Sequence, residues 1–340
     1  MSQWRLKPML NFRSVTFWIL FSMGAPLSFA SDTSTGPTSK TEATLLWGQG
    51  KQAFEQGRYG EAVAPLKRLI HRYPAIPNYI RAHYMLGVSQ LHSAHTQDAV
   101  KSLRYYISSI GSKSLDAMEA RLPLGWSYLE LKKSHEAQLT SQEILDVRPD
   151  SKIPAEIRTE ALVIKAEALL QLKHADRARQ SLDSALKVIP NHAPSHLHGV
   201  LKKALLNIKL NECTLLPSAK ALDEAQALNQ FGRRGLCLNE AAILYHDALK
   251  IGDPGSAVLA TQAMKTAFDQ FNFLCNHPPQ GPGKRTAREQ SQYARELLNV
   301  LLPACSQSQA QALELLKGWE DQIPTPMKVH LAELQSALST

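Results

Sequence analysis

The chain has 340 residues, 44% of them hydrophobic and 20% charged, with four cysteines and a formal net charge of +8. That length and apolar content suffice for about two domains with buried cores. The positive excess is spread along the chain without forming a basic stripe, which argues against a nucleic-acid partner.

The first thirty residues, MSQWRLKPMLNFRSVTFWILFSMGAPLSFA, hold Arg5, Lys7 and Arg13 but no acidic residue, then an apolar run and the triplet Ser28-Phe29-Ala30. This is the pattern of a cleavable secretory signal over 1–30, too short for a convincing membrane span. An uncleaved anchor is the competing reading. The mature chain is expected to begin at Ser31 and to be periplasmic, with secretion as the alternative. No cysteine lies near Ala30, so no lipid anchor of the bacterial lipobox type is expected. Residues 31–42, SDTSTGPTSKTE, lack large apolar side chains and predict a flexible linker.

Helical periodicity starts next and predicts two helices, over 46–56 and 59–73, joined by a turn containing Gly57. Gly50, Ala62 and Pro74 recur as Gly125, Ala137 and Pro149, then as Ala166, Ala178 and Pro190. A weaker copy has Gly87 and Ala99, with Gly111 in the place of the proline. The four alanines step by 37, 38 and 41 residues, which marks an internal repeat. Small residues facing each other let two helices approach closely, and the proline ends the second helix. One such hairpin cannot bury its own apolar face, so neighbours must stack.

Leu124-Gly125, Tyr128, Ala137 and Pro149 resemble the signature of tetratricopeptide repeats, and Leu86-Gly87 with Ala99 and Leu103, and Ala178 with Leu182 and Pro190, are similar in a looser way. The resemblance covers about residues 43–192 as four units. It implies an all-α solenoid of helical hairpins. The stretched units are similar to those of periplasmic members that serve outer-membrane assembly and cell-envelope constriction.

Residues 193–340 keep helical periodicity without the signature. Helices are predicted over 195–210, 219–230, 238–249, 256–273, 287–302, 307–321 and 327–337, the last ones capping the solenoid. Asp253-Pro254 and Thr325-Pro326 read as cap and first-turn pairs, and Ser306 as a cap. Tyr245, Leu249, Ala257 and Met264 read as remnants of a fifth unit. Asn276 to Lys284, NHPPQGPGK, is a Pro/Gly loop.

Motifs for chemistry are few. GPGKRT at 281–286 fails as a phosphate loop, because Pro278 stands where glycine is needed and Arg285 where Ser or Thr is needed. His192, His196 and His198 cluster, but no cysteine or carboxylate stands beside them at ligand spacing, so neither a metal nor another cofactor is expected. His92 and His95 sit at a turn and read as solvated. No G-x-S-x-G, H-E-x-x-H or C-x-x-C occurs, and Glu119, Glu130, Glu160 and Glu167 read as surface residues. No catalytic residue is assigned and the chain is not expected to be an enzyme. Two other readings stay open: an envelope enzyme with its site near the Pro/Gly loop, and a metal-binding protein using the His192 cluster.

Export implies an oxidising compartment, so Cys213, Cys237, Cys275 and Cys305 are expected to pair, with buried free thiols as the alternative. If the predicted C-terminal helices alternate up and down, Cys237 and Cys275 fall at one end, and a Cys237–Cys275 bond is expected. On the same scheme Cys213–Cys305 must span hairpins, and Cys213–Cys237 must cross a helix length.

The resemblance also implies where a partner binds, since the first helix of each hairpin lines the concave face in this family. Trp47, Lys51 and Phe54 fall there in the first unit, Arg81, Tyr84, Met85, Val88 and Leu91 in the second, and Trp126 and Leu129 in the third. The family's lysine-and-asparagine clamp for a C-terminal carboxylate is absent, with Tyr84 and Val88 at two of its positions. An aromatic and aliphatic floor with two cations suits an apolar peptide or amphipathic helix, taken here as a segment of an envelope protein. Phe54 and Leu91 are equally readable as packing between helices. Trp47, Tyr84 and Trp126, on one side of three successive helices, are the sharpest candidates.

Overall fold

The computed structural model describes residues 39–74, 78–147, 153–215, 223–277 and 283–339. The expected signal, residues 31–38 of the expected linker, and residues 278–282 of the Pro/Gly loop lie outside these. Thirteen α-helices and two short 3-10 turns make up the described residues, with no strand among them. The fold is all-α, built of stacked helical hairpins, and the chain divides into two compact units at Leu131 and Lys132.

The first unit holds α1 (Ser39–Glu55), α2 (Tyr59–Arg72), α3 (Tyr79–His92), α4 (Thr96–Ile110) and α5 (Leu115–Glu130). α1 begins at Ser39, inside the segment expected to be a flexible linker. Glu42 explains the extension: its carboxylate accepts from the Tyr73 hydroxyl at 2.5 Å and pairs with Arg72 at 3.1 Å, tying the start of α1 to the end of α2. Those partners hold its carboxyl below the usual range.

Within the hairpins the small residues act as the repeat requires, but one turn displaced. A Cβ on Gly50 would lie 2.7 Å from Leu66 Cγ, and one on Gly87 2.6 Å from Leu103 Cγ. The glycine therefore receives the leucine that follows the anchor alanine by one turn, while Ala62 and Ala99 are themselves wholly buried. A buried hydrogen bond from Ser102 to Gln90, 2.8 Å, joins α3 to α4.

The second unit holds α6 (Ser134–Leu145), α7 (Ala155–Gln171), α8 (Ala175–Val188), α9 (Ser195–Leu215), α10 (Glu224–Lys250), α11 (Pro254–Asn276), α12 (Ala287–Gly318) and α13 (Lys328–Leu338). The turns repeat more faithfully than the side chains. Gly57, Ala94, Lys132 and Lys173 all have positive φ, 72°, 60°, 58° and 63°, and each stands five residues before its anchor alanine. In three of these turns the helix ends with the same bond across the left-handed residue: Arg58 N–H to Ala53 at 2.9 Å, His95 N–H to Gln90 and His174 N–H to Leu169, both at 2.8 Å. This is the Schellman closure, which satisfies carbonyls left over at a helix end. Gly252, φ 73°, stands five residues before the wholly buried Ala257 in the same way, at the segment read as a fifth unit.

Two predicted breaks in the C-terminal half are absent. Residues 224–230 of the first segment and 238–249 belong to the single 27-residue α10, residues 219–222 lying outside the described ones, and 287–302 and 307–318 belong to the single 32-residue α12. Gly232 and Gly235 lie inside α10 and Pro303 inside α12 without interrupting them. Gly235 instead marks where α10 meets α12, since a Cβ there would lie 2.7 Å from the Cβ of Ser308. Ser306 lies inside α12 and caps nothing. Thr286 is the real cap, exchanging hydrogen bonds with Glu289. Asp253 caps α11 as expected, accepting from Ser256 N–H at 2.8 Å, whereas Thr325 opens a 3-10 turn without side-chain capping.

The merged helices also overturn the expected Cys237–Cys275 bond. The bonds are Cys213–Cys237, with Cα atoms 5.5 Å apart, and Cys275–Cys305, 6.3 Å apart. Cys213 stands at the end of α9 and Cys237 near the middle of α10, so α10 overshoots α9 by about half its length. Cys275 at the end of α11 meets Cys305 within α12 in the same manner. The up-and-down scheme failed because it counted two short helices where one long helix runs past its neighbour.

Candidate binding surfaces

The residues expected to bind a partner in the first unit separate into two groups. Met85 and Val88, each 2% exposed, and Leu129 at 5%, are core residues of the hairpin stack. Trp47, Lys51, Tyr84 and Trp126 are half-buried, and Arg81 is exposed. α1 lies against α3 and α3 against α5, so these side chains belong to neighbouring helices. Lys51 faces Glu55 at 3.8 Å, a loose surface pair of little energetic weight. Tyr84 is held from both sides: its ring centroid is 6.5 Å from that of Phe54 and 5.2 Å from that of Tyr106. Tyr59 continues this aromatic row beyond Phe54, at 5.7 Å. Phe54 thus packs hairpins together, and Tyr84 does so as well while keeping part of its surface open.

Beside this face are two imidazoles with unusual surroundings. Both ring nitrogens of His83 are buried and have no hydrogen-bond partner, and the ring lies 4.1 Å from that of Tyr105. His92 stacks on Tyr59 at 4.2 Å with its Nε2 buried and unpartnered. Burial disfavours the charged ring and lowers the pKa of both, to about 4 for His92. His92 was read as a solvated turn residue; it is instead an aromatic contact between α2 and α3.

The second unit contains a surface feature that sequence reasoning missed. A cleft in two adjoining parts, about 540 and about 480 Å³, runs between α9 and α11. Its apolar floor includes Leu170, Leu210, Ala263 and Ala267. Asn207, Asn211 and Thr214 line the α9 wall, and Gln262, Thr266 and Gln270 the α11 wall. Cys213 lies in the lining, so its bond to Cys237 fixes one end of the cleft. The signal was present as polar residues three to four apart on both helices, beside alanines at one-turn spacing. Such a stripe reads as an ordinary solvated face until the second helix is known to lie opposite.

At the histidine cluster, His192 is exposed and stands 3.9 Å from Glu156, while burial lowers the pKa of the His196 ring against an opposing pull from Asp253. Among the described residues no group of three or more His, Cys, Asp or Glu is placed to hold a metal.

Helical hairpins with a constant left-handed turn, a small residue receiving a leucine and open first-helix faces define a helical-repeat scaffold. Residues 44–75 match the tetratricopeptide repeat family. Among solved structures, a tetratricopeptide repeat protein from Parabacteroides merdae is 17% identical over 88% of this chain and 99% of its own, with a TM-score of 0.38. Pseudomonas aeruginosa pilF is 16% identical over 69% of this chain and 98% of its own, with a TM-score of 0.41. A Rap protein in complex with competence and sporulation factor is 13% identical over 90% of this chain and 88% of its own, at 0.40. No curated protein matches the chain in sequence.

Proposed function

We propose that the chain is an exported interaction scaffold that holds a segment of another protein, in the periplasm and in the service of envelope assembly. The observation that carries the binding role is the half-buried row Trp47, Tyr84 and Trp126 on three neighbouring first helices, with Lys51 and Arg81 beside it. Large rings that keep some surface open, flanked by cations, are typical anchors for an apolar segment. Export is supported by the signal pattern at 1–30 and by the pairing of all four cysteines, which suits an oxidising compartment. Cross-linking in intact cells tests the role, with Lys51→Glu/Arg81→Glu as the variant because neither side chain supports the core. The variant should lose the partner recovered with the wild type. Unchanged capture would refute this face as the site. Export is tested separately by sequencing the mature N-terminus, expected at Ser31; an intact Met1 would refute it.

A further inference from the structure

The two disulfides of the second unit are not equivalent. Cys275 and Cys305 are both buried, in a core shared with Phe268, Phe271, Leu297 and Leu301, and a thiol in solution has no approach to either sulfur. Cys213 is also buried, but its partner Cys237 is half-buried on α10, and Cys213 itself lines the larger part of the cleft. The Cys237 sulfur lies 4.0 Å from the carbonyl oxygen of Lys209. A reduced Cys237 therefore finds an acceptor for its S–H already in place.

The end of α9 depends on this bond. Among its described side chains beyond Leu210, Cys213 alone is buried; Asn211 and Glu212 are half-buried and Thr214 is exposed. Glu212 pairs with Arg179 of α8 and with Lys209, but partly exposed pairs of this kind contribute about 1 kcal/mol or less. Apolar packing thus stops one turn before the helix does, and the disulfide holds the remainder. A helix end with so few buried contacts is the kind of segment that opens locally while the rest of a domain stays folded.

We propose that Cys213–Cys237 is a redox switch, opened by a dithiol that enters through Cys237, and that its opening releases the last turn of α9 while Cys275–Cys305 stays closed. In an oxidising compartment the closed form is the resting one. A thiolate of the dithiol bonds to the Cys237 sulfur, the Cys213–Cys237 bond breaks, and its electron pair leaves on Cys213 as a thiolate. The second thiol of the dithiol, deprotonated in turn, bonds to the first and releases Cys237 as a thiolate. The cysteine pair gains two electrons, the dithiol becomes a disulfide, and its two protons pass through water to Cys213 and Cys237. Cys213 and Thr214 line the cleft, so release of this turn alters the α9 wall. The switch is independent of the Trp47–Tyr84–Trp126 face, and either can fail without the other.

The test places the oxidised full chain in glutathione buffers of graded reducing strength, quenches with acid and maps the peptides. Glutathione has one thiol and cannot complete the second step by itself, so the mixed disulfide is the species trapped. The adduct is expected on Cys237 and not on Cys213, at ratios where Cys275–Cys305 is still closed. Amide hydrogen exchange is then measured on protein opened at such a ratio, and on Cys213→Ser/Cys237→Ser, which needs no reductant. Residues 211–214 should exchange about tenfold faster or more in both, with α11 and α12 unchanged. An adduct on Cys213, both disulfides opening together, or unchanged exchange at the end of α9 would each overturn the proposal. Acceleration spread over the whole second unit would also overturn it, by making the bond a structural staple. The wild-type measurements stand even if the variant fails to fold.

Discussion

Consider the removal of one disulfide at a time, as Cys213→Ala/Cys237→Ala or Cys275→Ala/Cys305→Ala. The bonds close loops of 24 and 30 residues. On the chain-entropy account each withholds about 3.5 kcal/mol of conformational freedom from the unfolded chain, the longer loop slightly more. That is a substantial share of the net stability of a typical domain. Guanidinium unfolding followed by circular dichroism should therefore show a marked fall in midpoint for each variant under oxidising conditions, and none when wild type and variant are compared fully reduced. The two bonds should also differ in reactivity. Cys275 and Cys305 are 2% and 4% exposed, whereas Cys237 is half-buried and offers its sulfur to an incoming thiolate. Dithiothreitol should open Cys213–Cys237 first, and timed alkylation with peptide mapping would show it. Recovery of a Cys237–Cys275 peptide, or variants as stable as the oxidised parent, would refute this reasoning.

The turns offer a subtler test: Ala94→Gly and Lys173→Gly should each stabilise by about 0.5–1 kcal/mol by relieving a left-handed residue that bears a Cβ, while Gly57→Ala should destabilise by about 1 kcal/mol. Thermal melts of the three variants check it, and a stabilised Gly57→Ala would count against it. Gly87→Ala should cost about 1–3 kcal/mol in spite of alanine's better helix propensity, because its Cβ would press on Leu103; chemical denaturation reads the sign. Acid should weaken the fold through His92. Its folded pKa of about 4 lies below the unfolded value of 6.5, so the unfolded chain binds more protons and stability falls as pH drops from about 6.5 to about 4. The loss is up to about 3 kcal/mol, and His92→Phe, which retains the stack on Tyr59, should remove much of it; an unaltered pH profile would sink the assignment.

What could be read from sequence followed from local regularity. The step between alanines located four hairpins because each turn recurs at one fixed offset, even where alanine or lysine replaces the glycine that the turn prefers. Asp253 was legible as a cap because capping involves residues only three apart. The residues that misled were those with a distant reason. Gly235 has the composition of a helix break, yet Ser308, seventy-three positions away, needs the space that a side chain would fill. Met85, Val88 and Leu129 occupy positions that face a ligand elsewhere, but here neighbouring hairpins close over them. The disulfides follow from the same physics. Once α10 and α12 are long enough to pass the ends of α9 and α11, the cysteines at those ends meet cysteines midway along the longer helices. Helix length, which no local pattern reports, thus decides both the cysteine pairing and the wall of the α9–α11 cleft.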